Sequence, residues 1–162
     1  MRVVVDTNVW VSALLNQSGP PALVLAALEA RRFTCISSEP LLAELAEVLI
    51  RPRIARRYGI TPDDVDELVA LLRRRAEVVP IVGEVRLCRD PDDDMVTRTA
   101  LRGHADMLVT RDEDLKGASE VADALASVGI AVVSVRRFLA ALDEGYEPGP
   151  GPVNRGPGKA GR

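Results

Sequence analysis

Four places in the chain put carboxylates in polar company: Asp6-Thr7-Asn8, Glu44, the run Asp90-Pro91-Asp92-Asp93-Asp94, and Thr110-Arg111-Asp112. Gathered near 4 Å, each pair of acids would repel by about 4 kcal/mol at an effective dielectric of ~20. Three or four such terms rival the roughly 5–15 kcal/mol that holds a whole domain together. A cluster of this kind therefore needs a cation. Lysine is a poor source, because the chain has only Lys116 and Lys159. The single histidine, His104, and the two cysteines, Cys35 and Cys88, exclude a zinc site, a disulfide framework and a Ser-His-Asp triad. An all-carboxylate donor set is hard, and points to Mg²⁺ or Mn²⁺.

Each acid also has a plainer use. Asp6 suits a helix N-cap, Asp112 a turn, and Glu44 a solvated helix face. Asp90 and Asp92 suit the turn and helix start around Pro91. Thr7, Asn8 and Thr110 are ordinary turn or cap residues. Helical geometry separates the two glutamates of "LLAELAEVL". With Leu41 at 0° and 100° per residue, Leu42, Leu45, Val48 and Leu49 define the buried stripe, so Glu47 faces water and Glu44 borders the stripe.

The elements that must position these residues alternate. Strands are expected at 3–5, 33–37, 77–82, 107–110 and 130–135, the third interrupted by Pro80 and so suited to an edge. A helical stretch runs from about Val9 through "PPALVLAALEARR", with Pro20-Pro21 at a helix start. Further helices are expected from Ser38 to a stop at Pro52, over 61–75, from Asp93 to Gly103, and over 136–143. Alternation of this kind predicts a three-layer α/β/α domain over residues 1–143, around a central parallel sheet of four to five strands. In such a sheet ligands bind beyond the carboxyl ends of the strands, which is where Asp6, the aspartate run and Asp112 fall.

Composition narrows the class. Of 162 residues, 47% are hydrophobic and only 3% aromatic, so the core is aliphatic. The net charge of −3 conceals a basic segment, "RPRIARR" (51–57), and an acidic stretch over 90–114. Residues 144–162, rich in Gly and Pro, are expected to be a disordered tail. Asp6 breaks the N-terminal apolar run and no later run approaches a membrane span, so a cytoplasmic protein with no membrane partner is expected.

The chain resembles the PIN-domain ribonucleases, and more closely their toxin branch in bacterial toxin–antitoxin pairs. "VVVDTNVWVSALL", "SSEPLLAELAEVLIRPRIARRYGI" and "CRDPDDDMVTRTALRGHADMLVTRDEDL" are similar to that branch's motifs, in order and spacing, from residue 2 to about 142. The resemblance implies that Asp6, Glu44 and Asp112 are catalytic metal ligands. Family members often carry Asp-Asn where this chain has Asp93-Asp94, which favours Asp93 as the fourth acid. Asp94 remains the alternative, since its 18-residue distance to Asp112 occurs in other branches. Asn8 and Thr110 would orient the ligands or the attacking water.

The implied activity is Mg²⁺- or Mn²⁺-dependent endonucleolytic hydrolysis of RNA, leaving a 5′-phosphate and a 3′-hydroxyl. Arg51, Arg53 and Arg111 are candidate phosphate contacts. A cognate antitoxin and a homodimer are the implied partners. A phospho-accepting receiver domain fits less well, because "IAVVSVRRF" lacks the lysine expected after a fifth strand. A haloacid-dehalogenase-like phosphatase would need Asp-x-Asp where this chain has "DTN". The non-enzymatic alternative is an RNA- or protein-binding module, against which stands the presence of every acid.

Overall fold

A computed structural model describes residues 1–82, 91–112 and 119–145, with the side chains of residues 91–94 outside that description. Strands and helices alternate as β1 (Arg2–Val5), α1 (Thr7–Leu15), α2 (Pro20–Glu29), β2 (Thr34–Ser37), α3 (Glu39–Ile50), α4 (Pro52–Tyr58), α5 (Pro62–Arg75), β3 (Glu77–Val78), α6 (Pro91–Arg102), β4 (Met107–Val109), α7 (Glu120–Ser127), β5 (Ala131–Val133) and α8 (Val135–Asp143). The five strands form one parallel sheet in the order β3-β2-β1-β4-β5. β1 is its centre, with Val3 opposite Cys35 on one side and Met107 on the other.

Strand side chains alternate between two aliphatic layers, as period-two geometry requires. Val3, Val5, Cys35, Met107 and Val109 pack with α1, α2, α3, α5 and α8. Val4, Ile36 and Leu108 pack on the other face with residues of α6 and α7. This is the expected three-layer α/β/α arrangement. The sparse aromatics are placed where they fill most: Phe33 and Phe138 meet edge to face, ring centres 5.0 Å apart.

Several boundaries differ from expectation, each for a local reason. The stretch from Val9 is two helices bent by 101°, because Asn16 Oδ1 accepts from the backbone and hydroxyl of Ser18 and ends α1. Pro52 marks the stop of α3 as expected, that helix ending at Ile50, but it also opens a further helix. It occupies the first turn of α4, where its missing N–H costs nothing, and Gly59 closes that helix at φ 64°. The basic segment is therefore helical. β3 is an edge strand as expected, but covers only Glu77–Val78, ahead of Pro80. Helix α7 was not expected. Its sequence, "EVADALAS", is short and rich in small residues and buries only Leu125. The expected tail from 144 lies outside the described residues beyond 145. No single helix among the described residues is long and apolar enough to cross a membrane.

Two features fix α6, which carries the aspartate run. At its far end Gly103 lies so close to Ile36 that an added Cβ would collide with the Ile36 side chain. The Gly103 carbonyl accepts from Arg2 Nε and Nη2 at 2.9 and 2.7 Å, while the same guanidinium grips Glu77 at 2.9 Å. The last turn of α6 is thus pinned to the amino edge of the sheet. Nearer its start, the Thr99 hydroxyl gives its proton to the Met95 carbonyl at 2.8 Å and accepts from Ser38, the cap of α3, at 2.9 Å.

Candidate active site

The site grows from the end of β1. Parallel pairing with β4 continues one residue past the strand, as the Asp6 N–H donates to the Val109 carbonyl at 2.8 Å. That places Asp6 beside Thr110. The Thr110 hydroxyl, wholly buried, donates to Asp6 Oδ2 at 2.7 Å and accepts from the Asp112 N–H at 2.9 Å. One hydroxyl therefore joins the acids that end β1 and follow β4.

Asp6 occupies the N-cap position of α1 but makes no side-chain cap hydrogen bond; its carboxylate turns to Thr110 instead. Burial pushes its pKa up, and the charge of Asp112 adds to that push. The Thr110 hydroxyl and the N–H dipoles of Thr7 and Asn8 pull the other way, and burial wins. Two like charges so placed, one of them short of solvent, make a site that gains from a cation.

The remaining residues of the DTN motif extend the network. Thr7, nearly buried, donates to Glu44 Oε2 at 2.8 Å, bringing the half-buried glutamate of α3 to the start of α1. Glu47 is exposed and pairs with Arg51 at 3.2 Å, so helical phase distinguished the two glutamates correctly. Asn8 Oδ1 accepts from the Arg111 N–H at 3.3 Å and steadies the turn after β4.

The aspartate run reaches the same edge by a different route. Because Arg2 and Ile36 hold the end of α6 at the amino edge of the sheet, its 12 residues run back for about 18 Å at 1.5 Å per residue. The backbone of Asp92, Asp93 and Asp94, in the first turn, thus lies toward the carboxyl edge, where Asp6 ends β1. Which of Asp93 and Asp94 turns to the site falls outside the described side chains, and Asp90 lies outside the described residues.

The donor chemistry suits a divalent metal: Asp6, Asp112 and Glu44 offer oxygen alone, and the buried carboxylate of Asp6 favours neutralisation. Among the described residues no three acids, histidines or cysteines converge closely enough to hold an ion by themselves. Asp6 and Asp112 come together, and Glu44 stands one hydrogen bond from their neighbour Thr7. His104 follows α6 at the amino edge, away from this site.

Of the three candidate phosphate contacts, the structure brings only Arg111 to the site. Arg51 is engaged with Glu47, and neither Arg51 nor Arg53 lines the cleft. That cleft, about 570 Å³, adjoins the acids and is lined by Leu15, Pro21, Tyr58, Thr110, Arg111 and Arg136 among others. Tyr58 and Arg136 were not anticipated. Arg136 did leave a signal: Arg136-Arg137 is a pair of cations in the first turn of a helix, where the peptide dipole disfavours them.

Comparison with known proteins agrees with this geometry. Over 118 residues the chain is 27% identical to an uncharacterized protein of Methanocaldococcus jannaschii, covering 71% of this chain and 73% of that one. The sequence profile of the PIN domain matches residues 2–114, a span that opens with β1 and closes just past Asp112. With the acids of β1 and β4 joined at the carboxyl edge of a parallel sheet, and most of the chain inside that match, this protein belongs to the PIN-domain family, whose members are generally nucleases.

Proposed function

We propose that the protein is a cytoplasmic, Mg²⁺- or Mn²⁺-dependent endoribonuclease, and the toxin of a toxin–antitoxin pair. The observation that carries the catalytic reading is the Thr110 hydroxyl shared between Asp6 and Asp112, with Glu44 held alongside by Thr7. Asp6, Glu44, Asp112 and one of Asp93 and Asp94 would hold the metal. When bound, it would neutralise charge on the scissile phosphate and acidify the attacking water.

The chain's own groups set the geometry. Thr110 orients the Asp6 carboxylate, Thr7 orients Glu44, and Asn8 braces the turn carrying Arg111 and Asp112. With His104 at the far edge, the proton released by water passes to a carboxylate or to solvent. The toxin role, with an antitoxin partner and a homodimer, is supported by the motif likeness described above.

The test is cleavage of single-stranded and structured RNA with Mn²⁺, with EDTA, and by Asp6→Asn. Cleavage that needs Mn²⁺ and is abolished by EDTA and by Asp6→Asn supports the reading. Cleavage that persists in EDTA sinks the metal mechanism. RNA binding without cleavage, and without a Mn²⁺-induced rise in melting temperature, supports a non-catalytic binding module instead. Co-purification with the product of an adjacent small gene tests the antitoxin.

A further inference from the structure

We propose that the cleft beside the acids seats one unpaired nucleotide of the RNA, adjacent to the scissile phosphate, with its base against Tyr58 and its phosphate between Arg111 and Arg136. This rests on the ribonuclease reading and names the part of the substrate that the acids do not touch.

Continuity comes first. Thr110 lines the cleft and also hydrogen-bonds Asp6, so an occupant lies immediately beside the acids. The volume, about 570 Å³, falls within the usual range for small-ligand sites, roughly 300–1,000 Å³. Its lining divides by chemistry. Leu15, Pro20 and Pro21 supply an apolar wall, and Tyr58 supplies an aromatic one.

Tyr58 is unusual in this chain. Of the described aromatic residues, Trp10, Phe33 and Phe138 are buried, whereas Tyr58 is 47% exposed. The Arg57 guanidinium packs on its ring, 5.5 Å from the centroid, which steadies the ring. An exposed, steadied aromatic beside a nuclease centre suits base stacking, which requires an unpaired base.

Among the described residues the two cations are not neutralised by the fold, and only Arg111 has a side-chain hydrogen bond, to Ser12. Arg136 is exposed at the start of α8, the wrong end of a helix for a positive charge. Arg111 touches the Ser12 hydroxyl. Neither arginine forms an ion pair among the described residues, although the acidic site is adjacent. The acids and the cations thus occupy neighbouring but separate ground, which suits two successive phosphates: one at the acids with their metal, one at the arginines.

The test uses the full-length Asp6→Asn protein, so that RNA is bound and not consumed, and a fluorescein-labelled single-stranded 10-mer RNA of mixed sequence followed by anisotropy. Tyr58→Ala and Arg136→Ala are surface changes, checked for folding by melting temperature. Each is expected to weaken binding about tenfold. Arg136→Ala should also reduce the slope of log Kd against log salt by about 0.7. Arg137→Ala, an exposed neighbour outside the cleft, should stay within about twofold. If the parent binds and both cleft variants bind equally well, the nucleotide seat is overturned while the ribonuclease reading stands. Equal losses from Arg136→Ala and Arg137→Ala also overturn it, since they would report diffuse charge. No binding by the parent, with no cleavage by the unmutated protein, overturns both.

Discussion

The Thr7 hydroxyl and the Glu44 carboxylate meet at 2.8 Å, joining the first turn of α1 to the middle of α3 across 37 residues. Thr7 lies within the motif at the end of β1, so this bond transmits the position of the central strand to an acid on another element. Thr7→Val keeps the shape and removes the donor. We expect a loss of about 1 kcal/mol, since a charged acceptor is involved but Glu44 is only half-buried. That is a fall in melting temperature of roughly 2–4 °C for a chain of this size. Mn²⁺-dependent cleavage should fall further than stability does, and Thr7→Ser should restore both.

Asp6 gives a pH prediction. Burial, aided by the Asp112 charge, raises its pKa in the folded protein, so the native state holds that proton more tightly than the unfolded chain. The associated stability is fully present below the ordinary aspartate value near ~3.9, and is lost as pH rises through the higher native value. In EDTA at neutral pH, Asp6→Asn should therefore melt above the unmutated protein, with the gap closing as pH falls toward about 4. Mn²⁺ should raise the melting temperature of the unmutated protein only. Calorimetry across pH, with and without Mn²⁺, checks both signs.

The aspartate run reduces to a question of register. Asp93 and Asp94 are neighbours in the first turn of α6, about 100° apart around its axis, so both cannot face the site equally. Separate Asp93→Asn and Asp94→Asn variants, titrated with Mn²⁺, should differ by tenfold or more in affinity. Asp93→Asn is expected to be the weaker. Equal and small effects would remove the run from the metal site.

Gly103 tests the placement of α6. A methyl group there meets Ile36 in the layer between α6 and the sheet. Gly103→Ala should cost about 1–3 kcal/mol as overpacking. Pairing it with Ile36→Leu, which removes the branch methyl that the new Cβ meets, should recover part of that loss, measurable by denaturant unfolding.

Cys35 lies in the core at 1% exposure, and burial pushes its thiol up to about 12. At pH 8 it should resist iodoacetamide in the native protein and react only after unfolding. Peptide mass spectrometry reads this directly.

What could be read in advance follows the reach of each signal. Val3, Val4 and Val5 announce a central strand because burial on both faces leaves no polar position. Thr61 and Asp64 announce the start of α5 because their reciprocal capping bonds, 3.2 and 2.8 Å, are local. Glu44 was legible from helical phase alone. The bend at Asn16, the restart at Pro52 and helix α7 were not, since asparagine suits a turn or a helix alike, proline can stop one helix and open the next, and α7 is short with one buried residue. Arg51, Arg53 and Arg111 looked like phosphate contacts from their charge, yet the cleft is lined by Arg111 and Arg136, a distinction made only by where β4 ends and α8 begins. Thr110 was expected as an orienting group, but its particular bonds to Asp6 and Asp112 were out of reach, because they depend on β1 and β4 lying side by side.

The position of β1 at the middle of the sheet has a consequence in time. β1, synthesised before its neighbours, waits between an early one, β2, and a late one, β4, and Asp6 meets Thr110 across 104 residues of chain. Contacts so distant in sequence form late, after the loop between them has closed. A growing polypeptide therefore carries Asp6 early but cannot assemble its pair with Asp112 until β4 has been translated. Synthesis order alone keeps the acid pair apart while the message that encodes it is still being read.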